Sequence, residues 1–141
     1  MSKYFKLEEF LTSSTARKKS IENLPSWEVV ERLKELAEFL DGLREAWGSG
    51  IYISSGFRNQ KLNAAVKGVS NSAHLYGLAA DIQPANGKMK EFKVFVLEWV
   101  KDKCYDQVII EKDKKGTEWI HVALWSPKGE QRKKTFTLEA A

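Results

Sequence analysis

The chain has 141 residues, 43% of them hydrophobic and 30% charged, and its 23 Lys plus Arg against 19 Asp plus Glu give a net charge of +4. These proportions are typical of a folded globular protein and exclude disordered and collagen-like classes. The single cysteine, Cys104, excludes an internal disulfide and a multi-cysteine metal site. We expect one domain, residues 1–141, that is large enough to fold around its own core.

The mild positive charge favours an anionic polymer as partner. The sequence contains no basic stripe or recognition motif, so we expect no nucleic acid. No apolar run approaches the roughly 18 residues of a membrane helix, so we expect no stable membrane association. The N-terminal residues lead into Glu8 and Glu9 without an apolar segment, so we expect no secretory signal and synthesis in the cytoplasm.

Apolar residues at spacings of three and four predict two long amphipathic helices. The first follows the capping residue Ser26 and ends at residues 48–50. Its apolar positions are Trp27, Val30, Leu33, Leu36, Ala37, Leu40, Leu43 and Trp47. The second spans residues 88–103, and Cys104 at its end is expected in the core. Shorter helices are predicted at residues 7–11 and 59–66.

Segments rich in β-branched and aromatic residues predict strands. Four of them cover residues 51–54, 78–82, 105–111 and 117–125, and a weaker fifth covers residues 134–138. The third and fourth are joined by a charged turn, which favours a hairpin. This order of elements predicts an α+β single domain with helices packed on a mainly antiparallel sheet.

The two histidines and one aspartate form a candidate metal site. His74, Asp81 and His121 together supply two imidazoles and a carboxylate, a donor set that suits Zn²⁺. Three protein ligands leave the fourth zinc position open for water, as in catalytic sites. On spacing alone the alternative remains open that His121 is a half-buried strand residue and Asp81 a carboxylate at a strand end.

These residues lie within a longer pattern. The motif S-x-H-x-x-G-x-A-x-D is complete at Ser72, His74, Gly77, Ala79 and Asp81. The accompanying segments are Ser-Ser-Gly-Phe-Arg at 54–58, Leu-Asn at 62–63, Asp-Gln-Val-Ile-Ile-Glu at 106–111 and Trp-Ile-His-Val at 119–122. From about residue 4 to residue 132, the chain resembles the zinc D-Ala-D-Ala carboxypeptidase family, which includes murein peptidases of bacteria and endolysin peptidases of phages.

The resemblance implies a Hedgehog/D,D-peptidase-like fold in which His74, Asp81 and His121 hold zinc. It also implies that Arg58 anchors the substrate, although a surface arginine capping a turn is the alternative. Ser72 is expected either to bind substrate or to cap its turn. Asp106 is expected to brace the hairpin or to support a zinc-bound imidazole.

Two glutamates are candidates for the general base. Glu118 ranks slightly ahead because its Glu-x-x-His spacing to His121 matches better-known family members. In a regular strand, however, residues three apart point to opposite faces, so this pair would need a bulge or a frayed end. If Glu111 pairs directly with Glu118, both face away from His121. A one-residue slip brings Glu111 onto the histidine face.

The resemblance therefore predicts a zinc metallopeptidase that hydrolyses a peptide bond in peptidoglycan, as a D-Ala-D-Ala carboxypeptidase or a stem-peptide endopeptidase. The alternative is a zinc-containing, inactive module that binds the cell wall. The expected partners are peptidoglycan stem peptides, and we expect the protein to be a monomer. We expect a phage or prophage endolysin, or a bacterial relative, that acts on the wall after release or delivery.

Overall fold

The computed structural model describes residues 2–139. The α-helices are α1 (Leu7–Leu11), α2 (Ser14–Lys18), α3 (Trp27–Trp47), α4 (Gln60–Ala65) and α5 (Met89–Trp99). Short 3-10 helices span Ala73–Tyr76 and Val100–Asp102. The strands are β1 (Ile51–Ser55), β2 (Ala79–Pro84), β3 (Gln107–Lys112), β4 (Glu118–Ala123) and β5 (Lys134–Glu139). Within the described range, no helix is both long and apolar enough to cross a membrane.

The strands form one sheet in the order β1-β2-β4-β3-β5. The pairs β1–β2, β2–β4 and β3–β4 are antiparallel, and β3 and β4 form the predicted hairpin. The last strand, β5, runs parallel to β3 at the edge. The predicted fold class, α+β with helices on a mainly antiparallel sheet, is confirmed. The predicted domain boundaries also include Met1, Ala140 and Ala141, which lie outside the described residues.

The long helix α3 begins and ends as its flanking residues predict. Ser26 Oγ accepts a hydrogen bond from the backbone N–H of Val29, and Gly48 closes the helix at a φ of 76°. The buried stripe starts at Val29 and continues at alternating spacings of four and three. Its later members are Leu33, Leu36, Leu40 and Leu43. Trp27 was expected on this stripe, but it lies two residues off it and is 74% exposed.

One face of the sheet packs against α3 and α5 to form the core. The strands contribute Ala80, Ile82, Val108, Ile110, Ile120 and Val122. From α5, Phe92 and Val96 are fully buried, and the ring of Trp47 at the end of α3 lies 5.1 Å from that of Phe92. Because side chains alternate along a strand, the opposite face carries the polar residues that form the candidate site.

Cys104 is exposed, so its expected place in the core is wrong. The α-helical conformation ends at Trp99, and the 3-10 helix Val100–Asp102 then turns the chain toward β3. After this turn Tyr105, and not Cys104, is the buried residue, with 4% exposure. The weakly predicted fifth strand is present, and its six residues are all exposed.

Candidate metal centre and groove

Adjacent strands place Asp81 and His121 side by side. Asp81 on β2 pairs directly with His121 on β4, so both side chains leave the same face of the sheet. The Nδ1 atom of His121 lies 3.1 Å from Oδ1 of Asp81. The strand pairing therefore brings together two residues that are 40 positions apart in the sequence.

His74 reaches the same point from the short helix Ala73–Tyr76. Ser72 caps this helix, because its Oγ accepts a hydrogen bond from the backbone N–H of His74. Gly77 ends the helix at a φ of 72°, where a Cβ would lie 2.9 Å from Cγ1 of Val29. The glycine of the motif is thus required by a left-handed turn pressed against α3. The Nε2 atom of His74 lies 3.3 Å from Oδ1 of Asp81.

A backbone carbonyl selects the tautomer of His74. Its Nδ1 lies 2.6 Å from the carbonyl oxygen of Gly56, which can only accept, so Nδ1 carries the proton. In the neutral ring, the lone pair on Nε2 then faces the carboxylate oxygen of Asp81. Two acceptors at 3.3 Å repel each other unless a cation lies between them or a proton is added to the ring. This arrangement is typical of a metal ligand.

The three side chains fit zinc. Their ligand atoms all lie within 4.8 Å of one another, and His74 and Asp81 are buried at 3% and 8% exposure. Tetrahedral bonds of the usual zinc length place neighbouring ligand atoms about 3.3 Å apart. The two separations measured from Asp81 Oδ1 are 3.1 and 3.3 Å. The chemistry and the spacing of the donors therefore agree with a zinc site that has an open position.

The charge state of Asp81 is also that of a ligand. Burial by itself would raise the pKa of this carboxyl group, but the nearby rings of His74 and His121 outweigh burial and hold its pKa well below the ordinary value. The side chain is therefore a carboxylate, the form that binds a metal.

The three residues lie in a groove with a volume of about 490 Å³. Arg58 also lines it, and its Nη2 donates to Ser72 Oγ at 3.3 Å. Burial lowers the pKa of Arg58, while the charges of Asp81 and Glu111 act to raise it. The structure thus shows the capping contact of Ser72, whereas a contact of Ser72 or Arg58 with substrate stays a prediction.

The register of the β3–β4 hairpin separates the two glutamates. Glu111 pairs with Trp119, and Lys112 pairs with Glu118, which is the one-residue slip that turns Glu111 toward His121. Glu111 lines the groove, and its Oε1 accepts a 2.7 Å hydrogen bond from Nε1 of Trp119.

Glu118 lies on the opposite face of the sheet. Its Oε2 is 2.7 Å from Nζ of Lys93 on α5. The pairing of β4 with β3 is continuous from Glu118 to Ala123, so no bulge turns Glu118 toward His121. The register does not support the ranking of Glu118 ahead of Glu111, because residues three apart on a regular strand face opposite ways.

The segment after β4 supplies a wall of the groove that the sequence did not predict. Pro127, Arg132 and Leu138 line it. The almost fully buried Asp106 holds this segment in place, accepting from Nε of Arg132 at 2.8 Å and from its Nη2 at 2.9 Å. The residue pattern at 134–138 predicted a strand. It did not predict which strand would pair with it, because the pairing with β3 depends on the fold.

His74, Asp81 and His121 line one groove and supply the combination of donors that catalytic zinc sites use. The family model described as Peptidase M15 matches residues 3–123. The chain therefore belongs to the Peptidase M15 family, the zinc D-Ala-D-Ala carboxypeptidase family, which confirms the predicted resemblance. The match covers all three candidate ligands and ends before β5. No curated protein matches the chain significantly.

Proposed function

We propose that this protein is a zinc metallopeptidase that hydrolyses a peptide bond in the stem peptides of peptidoglycan. The observation that carries the proposal is the convergence of His74, Asp81 and His121 on one point in a groove that Glu111 and Arg58 also line. Membership in a zinc-dependent peptidase family supports the reaction class. When bound, zinc supplies Lewis-acid chemistry, polarising the scissile carbonyl and lowering the pKa of water toward about 7.

Glu111 acts as the general base in this proposal. Both histidines belong to the metal site, so a carboxylate must take the proton of the attacking water and deliver it to the leaving amine. Glu111 is on the groove face, and its Oε1 is engaged by Trp119. The second oxygen, Oε2, is the atom that we assign to the proton.

Arg58 binds the negative charge of the substrate. Its planar guanidinium can form two parallel hydrogen bonds to a terminal carboxylate, or stabilise the oxygen of the scissile carbonyl as charge develops there. Nε of Arg58 is buried without a hydrogen-bond partner among the described residues. Ser72 orients the guanidinium through its bond to Nη2.

We further propose that the protein meets its substrate in the cell wall as a monomer, after release or delivery, in the manner of a phage or prophage endolysin. The net charge of +4 supports this setting, because bacterial walls are anionic. The two candidate reactions are removal of the terminal D-Ala and cleavage of a stem-peptide bond such as L-Ala-D-Glu.

The test is digestion of purified peptidoglycan followed by mass spectrometry of the released muropeptides. Loss of D-Ala from intact stems identifies a carboxypeptidase, and cleaved stems identify an endopeptidase. We expect stoichiometric zinc, with activity lost on chelation and restored by zinc. Binding to the wall without any change in muropeptide masses would instead identify the inactive wall-binding module.

Two aspartate variants provide the matched control. Asp81→Asn removes a proposed ligand, whereas Asp102→Asn changes an aspartate whose side chain is 82% exposed and bonded to Lys103. We expect Asp81→Asn to lose zinc and activity while Asp102→Asn keeps both. Full zinc content in Asp81→Asn contradicts the assignment of this residue.

A further inference from the structure

The carboxylate of Glu111 accepts one side-chain hydrogen bond from the described residues, and its donor is Nε1 of Trp119 at 2.7 Å. We propose that Trp119 is a positioning residue, which holds Glu111 in the orientation needed for proton transfer. This inference rests on the proposed function, because it assigns Trp119 a role through the proposed general base.

The strand geometry makes this contact a fixed part of the sheet. Glu111 on β3 is directly opposite Trp119 on β4, and on its other side it is opposite Leu138 on β5. Of these two lateral neighbours, only the indole can hydrogen-bond the carboxylate, and it acts only as a donor. It therefore holds Oε1 in place and leaves Oε2 free for the proton.

The same strand also carries a proposed metal ligand. Trp119 precedes His121 by two residues, so both side chains leave β4 on the groove face about 7 Å apart along the strand. One rigid central strand thus sets the position of a ligand and, through the indole, that of the base. A glutamate without this contact would have several rotamers available.

The test variant is Trp119→Phe, which keeps an aromatic ring but removes the donor. Because misplacement of a catalytic group by about 1 Å can cost about 100-fold in rate, we expect kcat to fall by about 10- to 100-fold. KM and zinc content should stay close to those of the unmodified protein, since the indole is not assigned to substrate or metal.

A second tryptophan provides the matched control. Trp125 also donates from Nε1 to a glutamate, Oε1 of Glu35 at 3.0 Å, but neither residue lines the metal groove. Trp125→Phe therefore removes the same type of hydrogen bond elsewhere on the molecule. We expect it to leave kcat close to that of the unmodified protein, because neither Trp125 nor Glu35 lines the groove.

A readout that needs no catalysis is the indole N–H signal in ¹H–¹⁵N NMR spectra of the metal-free protein. The chain has five tryptophans, and the signal missing in Trp119→Phe identifies Trp119. We expect Glu111→Ala to shift this signal more than the other four. If the signal does not move, the hydrogen bond is absent in solution and the proposal is overturned.

The double variant separates action through Glu111 from a general structural effect. In a Glu111→Ala background, Trp119→Phe should cause no further loss of the residual activity, because coupled residues are not additive. An equal loss in both backgrounds overturns the proposal, as does full activity in Trp119→Phe alone. If the unmodified protein shows no peptidase activity, the proposed function fails and the positioning role fails with it, whereas the indole signal tests the hydrogen bond separately.

Discussion

Replacing each candidate general base by glutamine tests which face of the β3–β4 hairpin carries the base. The two candidates, Glu111 and Glu118, lie on opposite faces. Glu111→Gln removes the proton acceptor from the groove face and keeps the side chain's size. A general base contributes about 100- to 10,000-fold to a rate, so we expect kcat to fall within this range. Zinc content should not change, because Glu111 is not one of the three proposed ligands.

Glu118→Gln is the matched control on the other face. It removes the 2.7 Å ion pair with Lys93. The side chains of Lys93 and Glu118 are 28% and 26% exposed. A partly exposed pair of this kind contributes up to about 1 kcal/mol, which corresponds to about 3 °C in Tm for a chain of this length. We therefore expect a slightly lower Tm and nearly unchanged kcat.

Both variants are assayed by release of product from purified peptidoglycan, with zinc content and thermal unfolding measured on the same preparations. The reasoning is refuted if Glu118→Gln abolishes activity while Glu111→Gln retains it. That result would mean that the β3–β4 register in solution differs by one residue from the pairing of Glu111 with Trp119.

Three further substitutions test the supports of the groove. Arg132→Met leaves the buried carboxylate of Asp106 without its cation, and we expect a loss of about 2 kcal/mol in urea unfolding at pH 7. Burial acts to raise the pKa of Asp106, but the hydrogen bonds from Arg132 outweigh burial, so this pKa is lowered in the folded protein. The stabilisation is therefore present above the unfolded pKa of about 4, and it should be lost as pH falls through the folded pKa. Gly77→Ala places a Cβ within 2.9 Å of Val29 at a φ of 72°, so we expect the free energy of unfolding to fall by about 2 kcal/mol and zinc to bind more weakly. An unchanged free energy of unfolding would contradict the tight turn. Arg58→Lys keeps the charge but loses the planar donor pair, and we expect KM for a stem peptide to rise about tenfold with kcat less affected, measured by steady-state kinetics.

Much of the fold follows from local patterns in the sequence. The spacing of apolar residues predicted α3, and its capping serine and terminal glycine marked both ends. β-Branched segments predicted the strands and their hairpin. The same patterns misplaced Trp27 and Cys104, because each lies at an element's end, where the path of the chain rather than its periodicity decides exposure.

The candidate site was also predictable from the sequence only in part. The sequence predicted His74, Asp81 and His121 as candidate metal ligands, because zinc requires particular donor types, which are visible in a sequence. The sequence could not decide between Glu111 and Glu118, because a one-residue change in pairing turns every side chain of a strand to the other face. Only the tertiary structure, which pairs Glu111 with Trp119, set that register and brought Leu138 beside the groove.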